Sequence, residues 1–231
     1  MPEPPDNDAF TVMAAIEVLR CAIRAAQQTG RDAPDEWSAV AEALYLPIRA
    51  DRVIAAHEGF KVSEPKGATP SPLAGFFPYD YPASEAVRRA TLDFYLKHWD
   101  EYVGAPMFPA LYTTWAAMAG DPSLALKLFH EGYVRYDHGR FHQCLEYRPD
   151  HPDSEVAAGP FFANMGGMLL GLLMGLTGLV IRPGEVSDWP SRPIILPVGW
   201  SAIEVERVWV RGKPMRLLAE QGAERATLQA E

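Results

Sequence analysis

The spacing of apolar residues divides the chain into a long helical part and a short β part. Up to Arg182 the apolar positions recur every three or four residues, which is typical of amphipathic helices. After Arg182 they recur every second residue, as in strands, and Gly212-Lys213 predicts a hairpin turn. The predicted strand segments are 194–196, 203–210, 215–219 and 225–229. The sequence therefore predicts helices over residues 1–182 and a small antiparallel β segment over 183–231.

Capping residues, prolines and glycines set the predicted limits of the helices. The first helix begins at Asp6 or Asp8 and ends at Gly30. Further helices are predicted at four starting points: behind Pro34, at Ser84, near Pro106 and at Asp121. Residues 48–83 are predicted to hold a short strand within 52–60, followed by a loop rich in proline, glycine and aromatic residues. Because flexible linkers are seldom so rich in aromatic residues, we expect a structured surface loop, and long ordered loops usually carry function.

Residues 161–181 form a run of twenty-one uncharged residues that permits two interpretations. Its length and apolarity permit a membrane-spanning helix. However, no cluster of Lys or Arg flanks the run to orient it in a bilayer. Gly167, Gly171 and Gly175 recur every four residues and form a smooth stripe that another backbone can approach closely. We therefore favour a buried helix in a tightly packed helical array.

Composition restricts the classes of partner. The chain has 231 residues, 48% of them hydrophobic, and a formal net charge of −9. An acidic chain without basic clusters argues against binding nucleic acid or an anionic membrane surface. Cys21 and Cys144 are too few for a disulfide framework, and Cys21 is predicted to be buried in the first helix. The first residues contain no export signal, so we expect a cytoplasmic protein.

His138, His142 and Glu146 are spaced four apart, which on a helix would place three metal ligands on one face. Gly139 and the β-prone segment 141–145 argue against a helix, so we predict neither a metal site nor a cofactor. Two interpretations of Glu146 stay open: a general base that polarises water, or a solvated glutamate before a helix. The spacing alone favours the solvated glutamate.

Several short motifs follow one another in a fixed order. They are Asp6-Asn7-Asp8-Ala9-Phe10-Thr11, Glu58-Gly59-Phe60, Lys66-Gly67-Ala68-Thr69, Phe77-Pro78, Ala105-Pro106-Met107, Arg140-Phe141 with Glu146, and Met165-Gly166-Gly167-Met168-Leu169 running to Gly178-Leu179. In this order and spacing, the chain resembles the C-terminal part of a glycoside hydrolase family 65 enzyme. That family includes α-glucoside phosphorylases and hydrolases related to protein-glucosylgalactosylhydroxylysine glucosidase.

The resemblance implies a mainly α fold. Residues 1–182 would form a partial (α/α)6 barrel, a helical toroid of catalytic type, and residues 183–231 a small β appendage. The glycine-rich run would be a buried helix of this barrel. Because the chain supplies only part of the helices of a closed toroid, unpaired helices would expose apolar surface. We therefore expect a homo-oligomer, or a partner that completes the barrel.

The resemblance also implies an activity, the inverting hydrolysis of an α-glycoside with Glu146 as general base. The general acid of the family aligns just upstream of Met1, and Glu3 is the nearby substitute. Lys66, His142 and Trp115 would bind the carbohydrate substrate. Lys66 precedes glycine where the family has glutamine.

Two alternatives remain open at this stage. Trp115 has the spacing of a core residue as well as the chemistry of a sugar-stacking platform. The chain as a whole is either an enzyme or a non-catalytic relic or accessory subunit that binds carbohydrate or completes a barrel.

Overall fold

The computed structural model describes residues 6–64, 69–102, 108–152, 154, 156 and 158–230. It is mainly helical with small antiparallel sheets, as predicted. The chain forms two compact units, Met1–Tyr102 and Val103–Glu231. The predicted division at residues 182–183 falls inside the second unit and stays a prediction.

The first unit is built on four helices among the described residues: α1 (Ala9–Gln28), α2 (Asp35–Ala43), α3 (Ser71–Phe76) and α4 (Glu85–Lys97). Asp8 caps α1, because its carboxylate accepts a hydrogen bond from the Thr11 N–H at 2.8 Å. Ser84 caps α4 in the same way through Val87. The predicted starts of α1 and α4 are therefore confirmed.

The segment before the proline-rich loop is anchored from within the core. Ile54 is fully buried. Its N–H donates to the Thr91 hydroxyl at 3.0 Å, and its carbonyl accepts from the Tyr95 hydroxyl at 3.1 Å. The predicted strand is reduced to one antiparallel bridge between Ile48 and Ile54. Side chains of α4 thus form the hydrogen bonds with this backbone that a neighbouring strand would otherwise form.

One prediction for α1 is wrong. Cys21 is exposed, because it lies outside the buried face formed by Ala9, Val12, Met13 and Ile16. Its sulfur accepts a hydrogen bond from the Arg24 guanidinium at 2.9 Å.

The second unit begins with a 3₁₀ turn, Pro109–Leu111, which leads into α5 (Tyr112–Met118). Asp121 caps the next helix, α6 (Pro122–Gly132), by accepting from the Leu124 N–H at 2.8 Å. A small hairpin follows, formed by β1 (Asp137–His138) and β2 (Gln143–Cys144). The glycine-rich run then forms α7 (Phe162–Leu170), and a single π-helical turn, Gly171–Gly175, continues it.

Three strands form the sheet at the C-terminal end: β3 (Ala202–Val210), β4 (Lys213–Glu220) and β5 (Thr227–Ala230). They pair antiparallel in the order β3-β4-β5, and the predicted turn at Gly212 is confirmed. The predicted strand at 194–196 is wrong. Leu196 is buried there, and the Ile195 N–H bonds to the Leu176 carbonyl at 3.2 Å.

The glycine stripe packs against α5, as predicted. A methyl group placed on Gly171 would lie 2.6 Å from Thr114 Oγ1, and one on Gly175 would overlap Thr114 Cγ2. Thr114 itself is fully buried. The side chain of Thr114 therefore occupies the space that side chains on the stripe would need.

The expectation that the whole helix is buried is wrong for the other face of α7. Phe162 is 72% exposed and Leu169 60% exposed. The helix also stops well short of residue 181, since Gly178 takes a positive φ of 72°. None of the described helices combines the length and apolar character that crossing a bilayer requires.

We expect Gly175→Ala to lower the free energy of unfolding. Overpacking against Thr114 costs about 1–3 kcal/mol, and the better helix propensity of alanine recovers only about 1 kcal/mol. The matched control is Gly166→Ala, because nothing lies within 4 Å of a methyl group at that position. It should leave stability unchanged or raise it.

Urea unfolding of the two variants measures the difference. Adding Thr114→Ala to Gly175→Ala should restore stability, since it removes the atoms that the new methyl group meets. Equal stabilities for Gly175→Ala and Gly166→Ala would show that α5 and α7 do not approach this closely.

Candidate functional site

The segment that carries the candidate residues is a hairpin, not a helix. Asp137 pairs with Cys144 and His138 with Gln143. The connecting turn uses left-handed backbone at Gly139, with φ 74°, and at His142, with φ 51°. His138, His142 and Glu146 therefore do not share one helical face. Among the described residues, no group of three or more His, Cys, Asp or Glu side chains is arranged to hold a metal ion.

His142 lies at the exposed end of this hairpin. Its side chain is 82% exposed, and Nδ1 is 2.8 Å from the Asp137 carboxylate. Asp137 therefore orients a ring that is otherwise open to solvent. An oriented imidazole of this kind can bind the hydroxyl group of a ligand.

Glu146 lies in a backbone segment held from two sides. The N–H of Leu145 donates to the Tyr136 carbonyl at 2.8 Å, and the N–H of Glu146 donates to the Ala158 carbonyl at 2.7 Å. On the same side, the Phe161 N–H donates to the Cys144 carbonyl at 2.8 Å. These three bonds fix the position from which the Glu146 side chain projects.

The glycine helix also supports this segment directly. Asn164 lies in the first turn of α7 and is fully buried. Its side-chain amide donates to the Leu145 carbonyl at 3.3 Å. Burial raises the pKa of the neighbouring Cys144 thiol to about 11, although a hydrogen bond with Asn164 opposes the shift. Cys144 is thus a protonated thiol at neutral pH and not a nucleophile.

The charges next to Glu146 are already paired with one another. Arg148 is only 10% exposed and contacts the Asp150 carboxylate at 3.0 Å and the Glu131 carboxylate at 3.4 Å. The hydrogen bond with Asp150 raises the pKa of Arg148 despite its burial, and the same bond lowers the pKa of Asp150. Arg148 is therefore engaged and does not neutralise Glu146.

The Glu146 carboxylate is half-buried. It forms no ion pair with any residue of the described ranges. A carboxylate without a counter-ion, on a fixed backbone, is able to accept a proton from a bound water molecule.

The remaining predicted site residues lie elsewhere. Trp115 has no exposed surface and packs edge-on against Tyr112, with ring centroids 5.5 Å apart. It takes the core position that its helical spacing permitted, and this burial speaks against its prediction as a sugar platform. Lys66 and Glu3 lie outside the described residues. The structure thus places Glu146 and His142 on neighbouring parts of one hairpin and Trp115 in the core.

Two supporting residues escaped the sequence reasoning. Asn164 is a polar side chain inside an otherwise apolar run, and this contrast was a signal that could have identified it. The contact of Arg148 with Glu131 gave no comparable signal, because the two residues are 17 positions apart in the sequence.

The curated relatives of this chain include two proteins named kojibiose hydrolase. The protein from Mucilaginibacter mallensis is 28% identical over 204 residues, which cover 88% of this chain and 28% of that protein. The protein from Flavobacterium johnsoniae is 24% identical over 220 residues, which cover 90% of this chain and 29% of that protein. No protein-family model matches the chain.

The chain spans less than a third of the length of these relatives. The similarity nevertheless extends along most of this chain and supports a relationship to glycoside hydrolase family 65.

We expect Asn164→Leu to loosen the segment that carries Glu146. The substitution removes the amide donor to the Leu145 carbonyl and leaves that oxygen with only the weak Cys144 thiol donor, 3.7 Å away. The loss of such a hydrogen bond costs about 1 kcal/mol. Hydrogen exchange should accelerate at the Leu145, Glu146 and Phe161 amides, which bond to Tyr136, Ala158 and Cys144. The β3–β4 amides provide the internal reference and should be unaffected. Uniform acceleration throughout the second unit would instead assign Asn164 a general packing role.

Proposed function

We propose that this chain is part of an inverting α-glycoside hydrolase in which Glu146 is the general base. The observation that carries the proposal is the half-buried Glu146, which has no ion-pair partner among the described residues and lies on a segment fixed by hydrogen bonds. Its setting suits proton abstraction from water. Similarity to two kojibiose hydrolases supports a glycosidic bond as the bond that is cleaved.

In this proposal, Glu146 takes a proton from a water molecule as the water oxygen attacks the anomeric carbon. A carboxylic acid on the other side of the sugar protonates the departing glycosidic oxygen. Inverting enzymes separate the two carboxyl groups by roughly 6.5–9.5 Å, which leaves room for the water molecule. Glu3 is the candidate acid within this chain, and the alternative is a carboxyl group upstream of it.

Substrate binding is proposed for two further side chains. His142 would bind a sugar hydroxyl through the imidazole that Asp137 orients. Lys66 would contribute a second polar contact. Among possible substrates, α-linked diglucosides such as kojibiose are the first choice, since both relatives carry the name of that substrate.

We also propose that residues 1–182 form part of an (α/α)6 toroid, with residues 183–231 as its β appendage. The exposed apolar residues Phe162 and Leu169 support this arrangement, because a further helix could cover them. That helix would come from a second copy of the chain or from a separate polypeptide.

We expect Glu146→Gln to lower kcat for kojibiose by at least about 100-fold, since general-base catalysis contributes roughly that factor or more. Glucose release measured with a coupled assay gives the rate. Glu185→Gln is the matched control, because Glu185 is an exposed glutamate of the same unit.

Three outcomes of this experiment are informative. Full activity of Glu146→Gln would eliminate Glu146 as the base. Release of the α anomer, detected by NMR, would contradict the inverting mechanism. Sugar binding without hydrolysis by the parent chain would favour the non-catalytic accessory protein.

We expect the purified chain to self-associate through the exposed face of α7. Light scattering over a concentration series should give a mass above that of the 25.6 kDa chain. Leu169→Lys should shift the equilibrium toward monomer, because it places a charge in the covered face. Ile181→Lys, at a residue that is 61% exposed and lies outside α7, is the control. A monodisperse monomer at all concentrations would exclude self-pairing and leave a separate polypeptide as the proposed source of the covering helix.

A further inference from the structure

The first unit contains an open cleft. Its volume is about 640 Å³, and it lies between the segments 45–49 and 55–62 and helix α4. Pockets for small organic ligands have volumes of about 300–1,000 Å³. Glu146 belongs to the second unit, and none of the residues that line the cleft has been given a role in the proposed hydrolysis.

Aromatic rings form the apolar part of the cleft. Phe60 and Phe94 pack edge to face with centroids 6.2 Å apart, and both contact the buried Tyr95, at 6.1 and 5.0 Å. The Arg49 guanidinium lies over the Phe94 ring at 4.9 Å. Tyr45 lines the opening and is 55% exposed. The rings on the cleft floor are therefore locked, while that of Tyr45 is available to a ligand.

The polar side chains of the cleft retain unused hydrogen-bonding capacity. The Glu58 carboxylate accepts one hydrogen bond, from the Asn7 side-chain amide at 2.8 Å. A carboxylate has about four acceptor positions, so most of them stay open. The Lys61 ammonium is exposed and has no partner within the described ranges. The cleft thus offers both acceptors and donors beside its aromatic rings.

His57 holds one wall of the cleft. Its Nδ1 is 2.8 Å from the Glu58 carbonyl oxygen, and its Nε2 is 2.6 Å from the Glu64 carboxylate. Both neighbours are hydrogen-bond acceptors, so only the doubly protonated ring satisfies both. Burial lowers the pKa of His57, but these hydrogen bonds and the charges of Glu64 and Asp8 outweigh it and leave the pKa raised.

The charges around the cleft balance. Arg49 is paired with Asp51 at 2.7 Å, protonated His57 is paired with Glu64, and Lys61 offsets Glu58. Neither an anion nor a cation is favoured by net charge. A ligand that matches this lining has apolar faces for the rings and many uncharged hydroxyl groups for Glu58 and Lys61.

We propose that this cleft binds a neutral saccharide, stacked on Tyr45 and hydrogen-bonded by Glu58 and Lys61. The choice of a saccharide among neutral polyhydroxylated ligands rests on the proposed hydrolase function.

Titration of the full-length chain with kojibiose and with glucose, followed by two-dimensional NMR, tests the proposal. The test is made on the Glu146→Gln protein, which retains the cleft and prevents turnover. We expect shift changes at Tyr45, Glu58 and Lys61. Tyr45→Ala should weaken binding about fivefold, the loss that corresponds to one aromatic contact. Tyr79→Ala is the matched control, because Tyr79 is 41% exposed, belongs to the same unit and does not line the cleft.

A second variant, Glu58→Gln, separates binding from folding, since it preserves size and should weaken saccharide binding while leaving the melting temperature nearly unchanged. Shift changes confined to the second unit, or equal affinities of Tyr45→Ala and Tyr79→Ala, would overturn the cleft proposal. Neither result would affect hydrolysis by the parent chain. Conversely, loss of hydrolysis with Glu146→Gln leaves cleft binding intact, so the two proposals fail separately.

Saccharide binding in the cleft should also weaken as the pH rises through the raised pKa of His57. A neutral His57 ring has one N–H for two oxygen acceptors, so one of the two hydrogen bonds that hold the wall is lost. The contribution of these bonds to stability is complete at lower pH and is lost as the ring deprotonates. The other charged groups around the ring and the cleft are Asp8, Glu58, Glu64, Arg49 and Lys61. His98 contacts the Phe94 ring, so the measurement is made with the His98→Gln variant, which removes that second imidazole. Affinity independent of pH in that variant would show that His57 does not hold the wall.

Discussion

The close packing of the glycine stripe on Thr114 determines how the second unit is assembled. Thr114 is fully buried, and its hydroxyl forms no hydrogen bond with a described residue. The contact therefore depends on shape, since Gly171 and Gly175 leave room for the threonine side chain. The π-helical turn adjusts the register at this point, and the Leu176 N–H reaches back to the Gly171 carbonyl at 2.9 Å. Close-packed interiors transmit such local constraints to their neighbours.

The same helical face connects this packing to the candidate site. Asn164 precedes Gly171 by seven residues, which is close to two helical turns, so both project toward the same side of α7. When the glycines seat the helix on α5, they also bring the Asn164 amide to the Leu145 carbonyl. The position of Glu146 thus depends on residues that have no chemical role of their own. The proposed general base benefits from this rigid support.

Local signals in the sequence predicted much of the fold. Caps at Asp8, Ser84 and Asp121 and the turn at Gly212 depend on neighbours within a few residues, and the structure has them where expected. The failures involve contacts that are distant in sequence. Residues 194–196 form an apolar run typical of a strand, but no strand forms there and the Ile195 N–H bonds to the Leu176 carbonyl. The same holds for the candidate site. The resemblance identified Glu146, but the hydrogen bonds with Ala158 and Asn164 that hold its segment could be found only in the three-dimensional structure.

The two faces of α7 differ in their exposure to solvent. Phe162, Gly166 and Leu169 recur at positions i, i+4 and i+7, and a rotation of about 100° per residue puts them opposite Asn164 and Gly171. Burying one such large apolar side chain is worth about 1.5–3 kcal/mol. Leaving Phe162 and Leu169 in water therefore forgoes several kcal/mol on a helix whose glycines already weaken it. A helix with one face fitted to α5 and an apolar face turned outward is suited to a layer between two others. That geometry is what a toroid of paired helices would provide, and it is the physical reason for placing α7 inside a larger assembly.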